Sequence, residues 1–86
     1  MLSVTLLTAS KVVFEGEAAK VIFPGEKGIF EIGFFHKPFV SRLLPGMAMI
    51  DQKEIPIRHG VVKVKNNRVI AMVELEAEIR NEKSKQ

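Results

Sequence analysis

The sequence predicts an all-β domain, and three observations carry that prediction. The first is the kind of apolar residue. Ten Val, eight Ile and two Thr stand beside six Phe, while Leu and Ala supply only six each. β-branched and aromatic side chains lose rotamer freedom in a helix and pack well on a pleated surface. The second is alternation, clearest where Val69, Ala71, Val73 and Leu75 fall on one face opposite Arg68, Glu74 and Glu76. The third is punctuation, because Pro, Gly and Asn signals interrupt the chain at short intervals and leave no room for a long helix. Together they give a small antiparallel β sandwich or barrel of about eight to ten short strands. It is expected over residues 1–76, followed by a polar C-terminal tail over 77–86.

Leu2 to Ala9 alternates apolar and small polar residues. Ala18 to Phe23 follows Gly16 and stops at the turn dipeptide Pro24-Gly25. Gly28 to Ile32 is a short apolar strand, and Pro38 and Pro45 bracket Phe39 to Leu44. Gly46 opens Met47 to Asp51, and Gln52-Lys53 closes a hairpin onto Ile55. Glu54 to Arg58 alternates strictly with Ile55 and Ile57 on one face, and Pro56, lacking a donor, marks an edge or a solvent-facing position. Val62 and Val64 alternate with Lys63 and Lys65 before Asn66-Asn67, residues that tolerate the positive φ of a tight hairpin. Ile57, Val62, Val64, Val69, Ala71 and Val73 are the predicted core. In the tail, Leu75 and Ile79 are spaced for a helix and Glu76 suits pairing with Arg80, but no apolar residue follows residue 80, so a frayed end is expected.

Length and composition bound the function. The 86 residues make one domain, and the 47% apolar share excludes intrinsic disorder. No apolar run approaches the ~18 residues of a membrane helix, and the start lacks a secretory signal pattern, so a soluble domain is expected. There is no Cys, hence no disulfide, thiolate site or Cys nucleophile. Net charge is +3, concentrated in the middle: residues 36–70 carry seven Lys or Arg against Asp51 and Glu54. Such a stretch is either a solvated face or a surface for an acidic partner, nucleic acid or lipid headgroups.

No constellation for catalysis emerges. His36 and His59 are the only histidines and form no metal-ligand spacing; they read as a loop residue beside Pro38 and a turn residue before Gly60. None of Ser3, Ser10, Ser41 and Ser84 sits in a nucleophile elbow, and Asp51 serves a turn. Pro24-Gly25-Glu26-Lys27-Gly28 lacks the spacing of a phosphate loop. The six Phe are read as core, with base stacking in an oligonucleotide-binding barrel as the alternative. Met47, Met49 and Met72 are read as core or interface fillers. No catalytic residue, metal site or cofactor is expected, and a binding or structural role follows.

The order of these signals resembles the epsilon subunit of rotary F-type ATP synthases. Val4-Thr5-Leu6-Leu7-Thr8 and Val13-Phe14-Glu15-Gly16 are similar to the family's opening strand and F-x-G turn. The register continues through Ala19-Lys20-Val21, the Pro24 to Gly28 turn and Ile32. His36-Lys37-Pro38-Phe39-Val40 looks like its H-x-P-L-L segment, followed by Leu44-Pro45-Gly46-Met47. Gly60-Val61-Val62-Lys63-Val64 and Arg68-Val69-Ile70 resemble its closing hairpin. Glu31 replaces a second glycine, Phe34-Phe35 a Pro-Gly-like pair, and His59 the first of two glycines. The middle hairpin is shortened at Gln52-Lys53, and the family's C-terminal helical hairpin is missing, through natural brevity or truncation.

The resemblance implies a non-catalytic rotor subunit, one per complex, clamping the gamma subunit to the ring of c subunits. It implies a peripheral position on the cytoplasmic face of a membrane, of the bacterial type. Phe35, His36, Pro38, Phe39 and Ser41 would face gamma, with Phe35 and Phe39 as exposed anchors. Glu26, Lys27, Gly28, Ile29, Phe30 and Glu31 would form the loop facing the c-ring. ATP binding and inhibition belong to the helical hairpin of longer relatives and are not expected here.

Overall fold

The computed structural model describes residues 1–76, in eight strands. They are β1 (Leu2–Leu7), β2 (Val12–Ala18), β3 (Val21–Gly25), β4 (Gly28–Ile32), β5 (Phe39–Leu43), β6 (Gly46–Ile50), β7 (Lys53–Lys65) and β8 (Arg68–Leu75). The expected tail, with its Leu75–Ile79 and Glu76–Arg80 pairings, lies outside the described residues. The hydrogen-bonded path runs β2-β1-β8-β7-β5-β3-β4, with β6 bridging β3 and β7. Every pairing is antiparallel except one: β1 lies parallel to β8, from Ser3 opposite Arg68 to Leu7 opposite Met72.

The path doubles over because β7 serves both layers of the sandwich. Its first part pairs with β6, from Ile57 opposite Gly46 to Lys53 opposite Ile50, and its last part with β5, from Gly60 opposite Leu43 to Val64 opposite Phe39. The ladder to β8 shifts register between Ile57 and His59, so Arg58 is the extra residue of a bulge. The sequence suggests two strands and a turn at His59-Gly60; the bulge instead joins them into one strand of 13 residues. Gly60 is required there, because a Cβ would strike the Met72 carbonyl oxygen and lie 2.9 Å from Val73 Cα. Over Lys53 to Pro56 the side of β7 away from β6 is unpaired, which accommodates Pro56.

All six predicted core residues are buried, joined by Leu2, Val4, Leu6, Val21, Phe23 and Ile32 among others. The Asn66-Asn67 hairpin forms with both residues at positive φ, 53° and 60°. Other boundaries move. Ala19 and Lys20 separate β2 from β3, so Ala18 closes one strand and Val21 opens the next. Phe14, Glu15 and Gly16 lie within β2 and are not a turn. The β6–β7 turn is Asp51-Gln52, since Ile50 pairs with Lys53. Asp51, at φ 52°, also reaches across the fold: its carboxylate accepts from Ala19 N at 3.0 Å and Lys20 N at 3.1 Å, while its own N donates to Lys20 O. Met47 and Met72 are exposed and fill no gap in the core.

Candidate functional site

The two sets of candidate residues are carried by the β3–β4 hairpin and by the segment leading into β5. Only Glu26 and Lys27 form the hairpin turn; Gly28, at φ 115°, closes it, and Gly28 to Glu31 are already strand. Alternation along β4 then sends neighbours to opposite sides. Ile29 is 78% exposed, whereas Phe30 turns inward against the core. Phe30 lies over Gly25, where a Cβ would come within 2.7 Å of its ring. Its ring stands edge-on to Phe39 at 5.2 Å and 6.1 Å from buried Phe23. Glu31 is exposed on β4 opposite Ile22.

Phe39 is half-buried and packed against the core, which corrects its expected role as an exposed anchor. The cause is the aromatic run itself, for Phe39 is covered by Phe30 on one side and by His36, 5.6 Å away, on another. Ser41 donates to the Arg42 carbonyl at 3.0 Å. Arg42 reaches Glu26 at 3.9 Å, an exposed pair of little energetic weight. Of the ring-facing candidates Glu26 to Phe30, and of the gamma-facing candidates Phe39 and Ser41, line one surface groove, walled by the hairpin and β5 and reaching Val61; Glu31, Phe35, His36 and Pro38 are not in its lining. Pro38 is exposed beside it.

Phe35 stands apart. It is 80% exposed, at φ 64°, and its backbone N donates to Asn67 Oδ1 at 2.6 Å. His36 is a loop residue as expected; its Nδ1 meets the Lys37 carbonyl oxygen at 2.8 Å. His59 lies in β7 with Nε2 3.4 Å from Glu74, on an exposed surface. Sequence reasoning missed Gly25 and Arg42 as walls of the groove and Asn67 as the anchor of Phe35. Asn67 carried a signal only for its turn.

Among the described residues, no group of three His, Asp or Glu is placed to hold a metal. No helix of the described chain is long and apolar enough to cross a membrane. Of the six Phe, only Phe34 and Phe35 are exposed, so no row of rings is offered to stacked bases. An open groove with apolar walls and a charged rim is the anatomy of a protein contact.

Residues 1–78 match the family model described as the ATP synthase, Delta/Epsilon chain, beta-sandwich domain. An ATP synthase epsilon chain of Sulfurimonas denitrificans is 33% identical over 86 residues, covering 94% of this chain and 66% of that protein. Another, from Nitratiruptor sp., is 33% identical over 78 residues, covering 85% of this chain and 60% of that one. The chain thus spans about three fifths to two thirds of these relatives. A chain in the Euglena gracilis mitochondrial ATP synthase structure superposes with a TM-score of 0.76 at 18% identity, over 94% of this chain and 59% of that chain. One in the central stalk and c-ring structure of the Tetrahymena thermophila enzyme gives 0.70 at 19%, over 85% and 63%. At such identities the likeness shows the fold.

Proposed function

The chain belongs to the β-sandwich domain family of ATP synthase delta and epsilon chains, and from that premise we propose that it is a non-catalytic central-stalk subunit. In this reading it clamps gamma to the c-ring, so that ion-driven rotation is coupled to ATP synthesis. It sits as one copy per complex at the cytoplasmic face of the membrane, held there by the complex. The observation that carries the reading is the family match across residues 1–78, which takes in every strand from β1 to β8.

Glu26, Lys27, Gly28, Ile29, Phe30 and Glu31 are the proposed contact with the ring, and Phe35, His36, Pro38, Phe39 and Ser41 the proposed contact with gamma. The Phe30–Phe39 packing supports a mechanical role, because it joins the two contacts through side chains anchored in the core. A load on one contact then reaches the other without bending a loop. Ile29 supplies exposed apolar area beside the hairpin turn.

The test is affinity purification of the tagged chain from its native membrane fraction, with gamma and c subunits expected among the recovered proteins. Recovery of no ATP synthase subunit overturns the reading. Ile29→Asp, at an exposed position, is expected to lose c while retaining gamma and an unchanged circular dichroism spectrum. Nucleic acid recovered instead, with binding that falls steeply as salt rises, would establish the oligonucleotide-binding alternative.

A further inference from the structure

The segment between β4 and β5 presents two adjacent aromatic rings to solvent. Phe34 is 50% exposed and Phe35 80%, with ring centroids 4.3 Å apart. Their backbone is held, since Phe35 N donates to Asn67 Oδ1 and His36 N donates to Gly33 O at 3.3 Å. Asn67 is itself tied down, its carbonyl oxygen accepting from Ser3 N at 2.9 Å. A positive φ, here 64°, is unusual for a bulky aromatic.

Cations surround the same anchor. Arg68 follows Asn67 and stands opposite Lys65, while Lys63 stands opposite Ile70 two pairs along the ladder. Lys63, Lys65, Asn66, Arg68 and Ile70 line a shallow concavity with no acidic member. Lys37 is exposed two residues beyond Phe35. No Asp or Glu occurs from Ile32 to Ile50 or from Ile55 to Val73, and the acid that the register brings to this side of the sheet is Glu17 of β2, two strands from Arg68 across Ser3. Among the described residues, none of these four cations is in an ion pair.

We propose that this end of the sandwich docks on an anionic phospholipid surface. Phe34 and Phe35 enter the boundary between headgroups and acyl chains, and Lys37, Lys63, Lys65 and Arg68 meet headgroup phosphates. Stable membrane attachment takes two signals, and an apolar wedge beside a polybasic patch supplies both. The cations also discriminate among partners. Lys is depleted from protein interfaces but is the common residue of juxtamembrane basic segments. Bases are a poorer match, because Phe34 and Phe35 are tilted 53° to each other and form no continuous stacking platform. The proposal goes beyond the stalk reading and does not depend on it, and it reassigns Phe35 from the gamma contact to the lipid surface.

The experiment is co-sedimentation of the full chain with vesicles of phosphatidylcholine alone and of phosphatidylcholine mixed with phosphatidylglycerol. Binding is expected only to the anionic vesicles, weakening as salt rises. Removing one cation, as in Lys65→Ala, should lower the partition coefficient about five-fold, from the roughly 1 kcal/mol that each surface cation contributes. The double variant Phe34→Ser/Phe35→Ser should abolish sedimentation with its circular dichroism spectrum unchanged. The chain has no Trp, so Phe35→Trp adds a single reporter whose emission should shift to the blue on anionic vesicles. No binding to either vesicle, equal binding to both, or full binding by the double Phe variant would overturn the proposal. So would displacement from the vesicles by equimolar single-stranded RNA, which would make the surface a nucleic-acid site.

Discussion

The β7–β8 ladder and the stretch from β3 to β5 both bury apolar side chains, yet by different means. In the ladder, Val62, Val64, Val69, Ala71 and Val73 are inside because alternate residues of each strand share the core-facing side and the partner strand is in register, while apolar Val61, Ile70 and Met72 between them are exposed. In the β3–β5 stretch, Phe30 is inside because Gly25 leaves room for its ring, and Phe39 is half-covered because Phe30 and His36 reach it. Burial in the first region follows from strand alternation and the pairing register. Burial in the second depends on which neighbour tertiary structure brings, and this is also the region that holds the proposed contacts.

The largest expected effect tests that contrast directly. Phe23→Ala, at a fully buried position, should cost about 3–5 kcal/mol in chemical denaturation, as deletion of a buried aromatic generally does. Phe39→Ala should cost clearly less, because its ring is already partly in solvent. Equal losses would erase the distinction between core and groove wall.

Next in size is the bulge that lets β7 serve two layers. Gly60→Ala should destabilise by roughly 1–3 kcal/mol, the usual range for overpacking, since the added methyl meets backbone of β8 that cannot rotate away. A neutral result would mean that β7 and β8 separate easily at this point. Asp51→Ala comes third. It removes a charged acceptor from Ala19 N and Lys20 N, at an exposed turn where water replaces part of the loss, so about 1–2 kcal/mol is expected. Asp51→Asn should recover part of it, because an amide oxygen still accepts.

These three positions also show what was legible in the sequence. The sandwich, the Asn66-Asn67 hairpin and the six core positions followed from period and turn chemistry, which act over a few residues. The partners of Asp51 lie 31 and 32 residues away, and no local pattern encodes that distance. The same holds for the parallel pairing of β1 with β8 and for the bulge at Arg58, each a product of how distant strands close the sandwich. The candidate contacts were legible as segments. The meeting of Glu26 to Phe30 with Phe39 and Ser41 in one groove was not, because it needed the Phe30–Phe39 packing.

The smallest expected effect has the opposite sign and separates stability from recognition at the one aromatic that breaks the backbone rule. Phe35 sits at φ 64°, in the left-handed region, where an ordinary side chain costs roughly 1–2 kcal/mol. Glycine adopts that conformation without penalty but brings more freedom to the unfolded chain, which offsets about 0.5–1 kcal/mol. Phe35 buries little, so its ring contributes little to folding. Phe35→Gly should therefore stabilise the domain slightly, by about 0.5–1 kcal/mol, read as a higher midpoint in urea with an unchanged slope. Phe35→Ala, which keeps the strain and loses the ring, should not stabilise. If Phe35→Gly instead destabilises, the ring supports the fold through its contact with Phe34, and its exposure needs no partner to explain it. If the variant is more stable yet loses vesicle binding, the strain is a local cost retained for contact with another surface.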